Sequence, residues 1–229
     1  MVTVASELGT QESNSLRARY AAICLEQVSV RCATSEEDWS QVGELRAAGF
    51  SRVRNSEQTS ARPIAWIDDS DRTEGSFSLL GVAANGETLA TMRVQDGRAG
   101  NVELAKFVPL EELLEPSERP YVQFARLTAR KEPGRVDVMF GLFKAAWRWC
   151  LAEGLETIVI ATPPWSKPIY DFMHFEDRGP VGRFRHRLAG NAEHVTMTLP
   201  VQGCETLWRS RRQPLSRLFF DVEHPGLVI

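Results

Sequence analysis

The sequence predicts an α/β (α+β) fold with a mixed central sheet flanked by helices. Three observations carry it. Strand-like and helix-like segments alternate along the chain. An Asn85-Gly86 pair between two apolar runs is a strong hairpin signal. Residues 155–162, with the apolar stretch Ile158 to Ala161 at their centre, read as a buried strand.

Taken in order, residues 1–27 are polar and then weakly helical, and are read as a tail with an accessory helix. Val28 to Ala33 alternates as a strand does. A helix follows, with Thr34 or Ser35 as N-cap, acidic residues in its first turn and Gly49 at its end. Residues 51–75 are polar and broken by Pro63, a partly mobile loop of the kind that is functional or disordered. Residues 76–96 are the hairpin. Residues 98–120 form a polar, proline-bounded connection with a short helical stretch near Leu110. Residues 121–129 read as a strand, 131–135 as a turn, and 136–154 as a mostly apolar helix whose one wet edge is marked by Lys144 and Arg148. After the buried strand, 163–175 opens with prolines and continues as a short helix. Residues 182–188 and 194–201 are two last strands, and a basic helix-like piece with an extended end closes the chain. One core is expected: a domain over 28–201, with 1–27 and 202–229 as tail and extension.

Composition narrows the function classes. The chain has 229 residues, 43% hydrophobic and 25% charged, with a formal net charge of -3. Those values describe an ordinary globular chain with no chain-wide basic surface for nucleic acid. No stretch reaches the length of a membrane span, and the N-terminus lacks the basic and apolar regions of a signal peptide. Cys24, Cys32, Cys150 and Cys204 are widely spaced and form neither a CxxC pair nor a disulfide framework. A cytoplasmic protein is expected. His174, His186, His194 and His224 have no ligand spacing, so no metal is expected, and phosphate-loop, Rossmann and GxSxG motifs are absent. His186 and His194 are read as structural.

Four local motifs stand in order. Leu45-Arg46-x-x-x-Phe50 ends the first helix. Trp66-Ile67-Asp68-Asp69-Ser70-Asp71 lies in the long loop. Leu89 to Val94 places Arg93 in a strand, and Gln123-Phe124-Ala125-Arg126-Leu127 places Arg126 in the next. Arginines in apolar strands need anionic partners. Asp69, Asp71 and Glu103 are the candidates, with a substrate carboxylate as a further one. This series, with Pro168-Ile169-Tyr170 and Phe175 further on, resembles the GCN5-related N-acetyltransferase superfamily. Within it the chain looks most like the N-acyl amino acid synthases and the acyl-homoserine-lactone (autoinducer) synthases.

The resemblance implies a GNAT-like acyltransferase. Arg46, Asp69, Asp71, Arg93, Gln123, Arg126 and Tyr170 would form the catalytic group, with Tyr170 protonating the leaving thiolate. Leu127, Thr128 and Ala129 would hold the pantetheine arm and supply a backbone N–H to the oxyanion. Lys131, Gly134, Arg135 and Val136 form the turn where family members cradle a diphosphate. Here that turn keeps one glycine, and Pro133 removes a donor. A donor without the nucleotide fits better: acyl-phosphopantetheine on acyl carrier protein, with acyl-coenzyme A as the other source and no tightly bound cofactor. Arg130, Lys131, Arg135, Arg183, Arg185 and Arg187 would dock that acidic carrier; the alternative is a solvated face.

The departure is Gln123, where the synthases have a glutamate proposed as base. An amide cannot accept a proton usefully. The base is then Glu103, Asp71 or a water held by Gln123, or the amine arrives neutral, or the activity is lost. The expected reaction moves a medium or long acyl chain onto the α-amine of an amino acid or similar carboxylated amine. The alternatives are a homoserine lactone synthase using S-adenosylmethionine, a small acyl-coenzyme A acetyltransferase, and a non-catalytic module sensing carrier or lipid. Met139, Phe140, Phe143, Trp147 and Trp149 are read as core or as the wall of an acyl tunnel.

Overall fold

A computed structural model describes residues 23–50, 66–186, 191–227 and 229. The expected tail and accessory helix lie mostly outside these residues, as do 51–65 of the long loop.

The strands are β1 (Ser29–Cys32), β2 (Ser76–Val82), β3 (Thr88–Asp96), β4 (Tyr121–Ala129), β5 (Thr157–Thr162), β6 (Glu176–Asp177), β7 (Arg183–His186) and β8 (Ala192–Pro200). They form one sheet in the order β1-β2-β3-β4-β5-β8-β6, with β7 pairing β8. Among the described residues only the β4–β5 pair is parallel; the others are antiparallel. The mixed α/β architecture predicted from the sequence is therefore present. The helices are α1 (Glu36–Phe50), α2 (Leu110–Leu113), α3 (Arg135–Ala152), α4 (Lys167–Phe172) and α5 (Cys204–Ser210). No helix among the described residues is long and apolar enough to cross a membrane.

Capping fixes the start of α1. The Ser35 hydroxyl accepts from the Asp38 N–H at 3.1 Å, and the Asp38 carboxylate accepts from the Ser35 N–H at 3.0 Å. Trp39, Val42, Leu45 and Arg46 then share the buried stripe. The first three pack with Leu80. Helix α3 covers the opposite face, where Phe140, Leu142 and Phe143 join Met92, Val122 and Phe124 in the main core. The hairpin turn spans 83–87, longer than a two-residue turn, with Gly86 at φ 82°.

Three expectations are corrected. Lys144 does not mark a wet edge: it is buried, and its ammonium donates to the Leu218 carbonyl (2.7 Å), the Val222 carbonyl (2.5 Å) and His224 Nδ1 (2.8 Å). The C-terminal segment covers that edge, a contact between positions far apart in sequence. That segment is not one helical piece. It breaks after α5 and resumes as a π-helical turn over Arg217–Asp221, which places Trp208, Phe219 and Leu227 in the main core. The 98–120 connection is not simply polar. Val102, Leu104, Val108, Leu110, Leu113 and Leu114 build a small second cluster against Val159.

Candidate active site

The site begins where two parallel strands part. β4 and β5 pair from Tyr121↔Thr157 to Phe124↔Ile160, and there the ladder ends. β4 runs on to Ala129 beside β3, but its register shifts: Arg93 faces Ala125 while Thr91 faces Thr128. β4 thus holds one residue more than β3 over this stretch, a bulge that bends the strand. Arg126 lies in the bulge at φ 54°, a left-handed conformation that costs a non-glycine residue of order 1–3 kcal/mol.

A cavity of about 570 Å³ fills the gap. One wall is Ala125, Arg126, Leu127 and Thr128; the other is Ala161, Thr162 and Pro163. Among the described residues, the edge of 125–128 that faces β5 has no ladder partner. The end of α1 closes one side with Gly49 and Phe50, Phe50 stacking on Trp66 at 5.3 Å. A β-carbon at Gly49 would lie 1.8 Å from Thr128 Oγ1, so only glycine lets α1 approach β4 this closely.

Beside the cavity, three arginines interlock with three carboxylates. Arg46 donates to both Asp71 oxygens at 2.8 Å, to the Trp66 carbonyl and to Ser78 Oγ. Arg93 donates to Asp71 at 3.3 Å, to Asp68 at 3.2 Å and to Glu103. Arg126 donates to Asp68, to Glu103 (3.0 Å) and to the Trp66 carbonyl (3.3 Å). Arg46, Arg93 and Asp71 are fully buried; the Asp68 side chain is 37% exposed and that of Arg126 11%. Burial lowers Arg46 to about 10 against the pull of Asp71. Burial alone would raise the Glu103 carboxyl, but Arg93 and Arg126 outweigh it and hold it below the usual range. The contacts on the Arg126 guanidinium hold the strained bulge in place.

Two adjacent glutamines anchor Glu103. Gln95 and Gln123 face each other across β3 and β4. Gln95 Oε1 accepts from the Glu103 N–H at 3.2 Å, and Gln123 Oε1 accepts from the Leu104 N–H at 2.9 Å. Gln123 therefore uses its oxygen on the backbone while its side chain borders the cavity.

Tyr170 on α4 also lines the cavity, edge-on to Phe143 (6.2 Å) and Phe175 (5.5 Å), and burial pushes its hydroxyl up to about 12. It stays protonated at neutral pH.

Of the residues expected in the catalytic group, Gln123, Arg126 and Tyr170 border the cavity, while Arg46, Arg93 and Asp71 sit behind it. Asp69 is exposed, and the neighbouring Asp68 takes its place in the network. Leu127 and Thr128 line the cavity; Ala129, Lys131, Gly134, Arg135 and Val136 do not, and Val136 packs against the main core. At the α3 N-terminus, Asp137 accepts from the Cys24 N–H at 3.1 Å, so a carboxylate occupies the first turn of that helix. Arg130 pairs with Glu87 and Arg183 with Glu193 and Asp177 on the surface. Arg187 lies outside the described residues.

Sequence reasoning missed Asp68, His186 and His194 as parts of the cavity wall. The histidine rings are 5.0 Å apart, and Phe107 packs on His186 at 4.7 Å. Burial lowers both imidazoles below their usual range. Period-two alternation along β7 and β8 was the available signal, since it sets Phe184, His186 and His194 on one face.

No protein-family model matches the chain, and no curated protein is similar to it in sequence. Solved structures are similar in fold. FeeM, an N-acyl amino acid synthase from uncultured soil microbes, superposes with a TM-score of 0.61 at 13% identity, over 78% of this chain and 93% of its own. A variant of the spermidine N-acetyltransferase SpeG from Vibrio cholerae gives 0.51 at 11% identity, covering 80% and 98%. FdhC, a nucleotide-linked sugar GNAT, gives 0.51 at 12%, covering 84% and 97%. Through its sheet order, its parted central strands and these likenesses, the chain has the fold of the GNAT acetyltransferases.

Proposed function

We propose that this protein is an N-acyltransferase, moving a medium or long acyl chain from the phosphopantetheine of an acyl carrier protein to the α-amine of an amino acid or similar carboxylated amine. The observation that carries the reading is the parting of β4 from β5. It leaves the backbone edge of 125–128 open to a cavity of about 570 Å³, where an N–H can meet a thioester oxyanion.

The walls suit a zwitterionic acceptor. Asp68 offers a partly exposed carboxylate to an ammonium, and Arg126 a guanidinium to a carboxylate. Arg46 and Arg93 are taken up by internal partners, so they act as positioning residues for Asp68, Asp71 and Glu103. To Tyr170, which borders the cavity and is protonated at neutral pH, we assign the proton that the leaving sulfur takes up. A carrier-bound donor is favoured over coenzyme A because the α3 N-terminus holds Asp137 and Pro133 in place of an open diphosphate cradle.

The test is incubation of the protein with acyl carrier protein and coenzyme A thioesters and an amino acid pool, followed by thiol release and mass detection of amides. New N-acyl amino acids from the carrier thioester support the reading. Absence of thiol release and of amide with every donor would sink it.

A further inference from the structure

Acyl transfer to an ammonium needs a proton acceptor, and the carboxylates near the cavity are poorly suited. Asp71 is fully buried beneath Arg46 and Arg93. Glu103 has its oxygens on Arg93 and Arg126. Asp68 is bound by Arg93 and Arg126. Gln123 is an amide. Two cavity groups remain, His186 and His194, and their ring nitrogens are not equivalent.

His194 Nδ1 lies 3.0 Å from the Ala192 carbonyl. A carbonyl only accepts, so Nδ1 carries the proton and Nε2 carries the lone pair. The backbone thus fixes both the tautomer and the ring orientation, as the orienting partner of a general base does. His186 is the opposite case. Its Nδ1 is buried and makes no hydrogen bond to another described residue, so no outside partner fixes its tautomer.

We propose that His194 Nε2 is the general base of this site, doing the work that Gln123 cannot. This assignment rests on the acyl-transfer reading above. The acceptor ammonium gives one proton to His194 Nε2, which later releases it to solvent. The free amine attacks the thioester carbonyl carbon, the C–N bond forms and the C–S bond breaks. The second nitrogen proton is lost as sulfur leaves as a thiol, Tyr170 giving its hydroxyl proton to sulfur and recovering the one from nitrogen. The titratable and charged groups sharing the wall with His194 are His186 on β7, Glu103 beyond β3, Arg126 on β4, Asp68 before β2 and Tyr170 on α4. Burial lowers the His194 imidazole below its usual range, which favours the neutral form.

The experiment compares wild type with His194→Gln and His186→Gln, using the dodecanoyl thioester of acyl carrier protein, an amino acid pool and a pH series. His194→Gln should lower kcat at neutral pH by about a hundredfold or more, leave KM for the carrier unchanged and remove the low-pH limb of the profile. His186→Gln should keep that limb. If His194→Gln retains both rate and limb while wild type forms amide, the base assignment falls and acyl transfer stands. If wild type forms no amide from any donor, acyl transfer falls and the assignment with it. Imidazole nitrogen chemical shifts of the wild type at neutral pH need no variant: a proton on His194 Nδ1 supports the assignment, and a proton on Nε2 overturns it.

Discussion

The Arg46 guanidinium and the Asp71 carboxylate meet at 2.8 Å with both side chains fully buried. Arg93 reaches the same carboxylate at 3.3 Å. Removing one member strands the others, and breaking a buried pair this way costs about 3–5 kcal/mol. Asp71→Asn should therefore lower unfolding stability by that order in a denaturant titration. An Arg46→Met/Asp71→Leu double variant should cost less than the sum of its singles, which a double-mutant cycle measures.

Arg126 is the only arginine of the network that borders the cavity. Arg126→Lys keeps the charge but loses the fork that spans Asp68 and Glu103. Thiol release with the carrier thioester should fall about a hundredfold or more for Arg126→Ala, with partial loss for Arg126→Lys. Unchanged turnover in folded Arg126→Ala would refute its place in the site.

Tyr170→Phe preserves the edge-on contacts with Phe143 and Phe175 and removes only the hydroxyl. Its unfolding midpoint should match wild type, while kcat drops by about a hundredfold. A variant with wild-type kcat shows that sulfur takes its proton elsewhere.

Gly49→Ala places a methyl 1.8 Å from Thr128 Oγ1 and 2.9 Å from Thr128 Cβ. Rotating the hydroxyl relieves the first contact but not the second, so α1 must shift from β4. The expected cost is about 1–3 kcal/mol, with loss of activity in excess of the loss of folded protein. Thermal melts alongside single-turnover rates separate the two.

Lys144 is lowered from 10.5 to about 8 by burial. Below pH 8 it is charged in both folded and unfolded chains, and the cost of burying that charge is fully present. Between pH 8 and 10.5 the unfolded chain binds the extra proton, so the lysine's contribution to stability rises with pH across that window. Stability of wild type minus that of Lys144→Met, from denaturant titrations at intervals through the window, should climb; a flat or falling difference contradicts the assignment.

The legible part of this protein was its strands and its polar series. β4 was bounded correctly from sequence because Tyr121 to Ala129 is mostly apolar and flanked by Pro120 and a Lys-Glu-Pro-Gly turn. The arginines in β3 and β4 announced acids nearby, since isolated buried guanidinium groups are too costly to leave unpaired. Which acids was not legible. Asp68 and Asp69 are adjacent and chemically identical, and only the turn over 69–71 decides that Asp68 faces inward. The bulge at Arg126 was equally hidden, because an arginine gives no local sign of positive φ. Lys144 misled for a long-range reason: its partners lie more than seventy positions away.

The interlocked cluster of Arg46, Arg93, Arg126, Asp68, Asp71 and Glu103 sums to zero formal charge. An electroneutral arrangement acts at a distance as a multipole, and its field decays faster than that of a net charge. Strong polarity is thereby concentrated on a small molecule already inside the cavity, while a protein approaching from beyond about 10 Å of salt solution feels almost none of it. Under the proposed carrier-dependent reading, long-range capture of an acidic carrier falls to cations outside the cluster, such as the exposed Lys131 and Arg185. Binding a carrier should weaken steeply with added salt, while the acceptor's affinity, set inside the cavity, should hardly change.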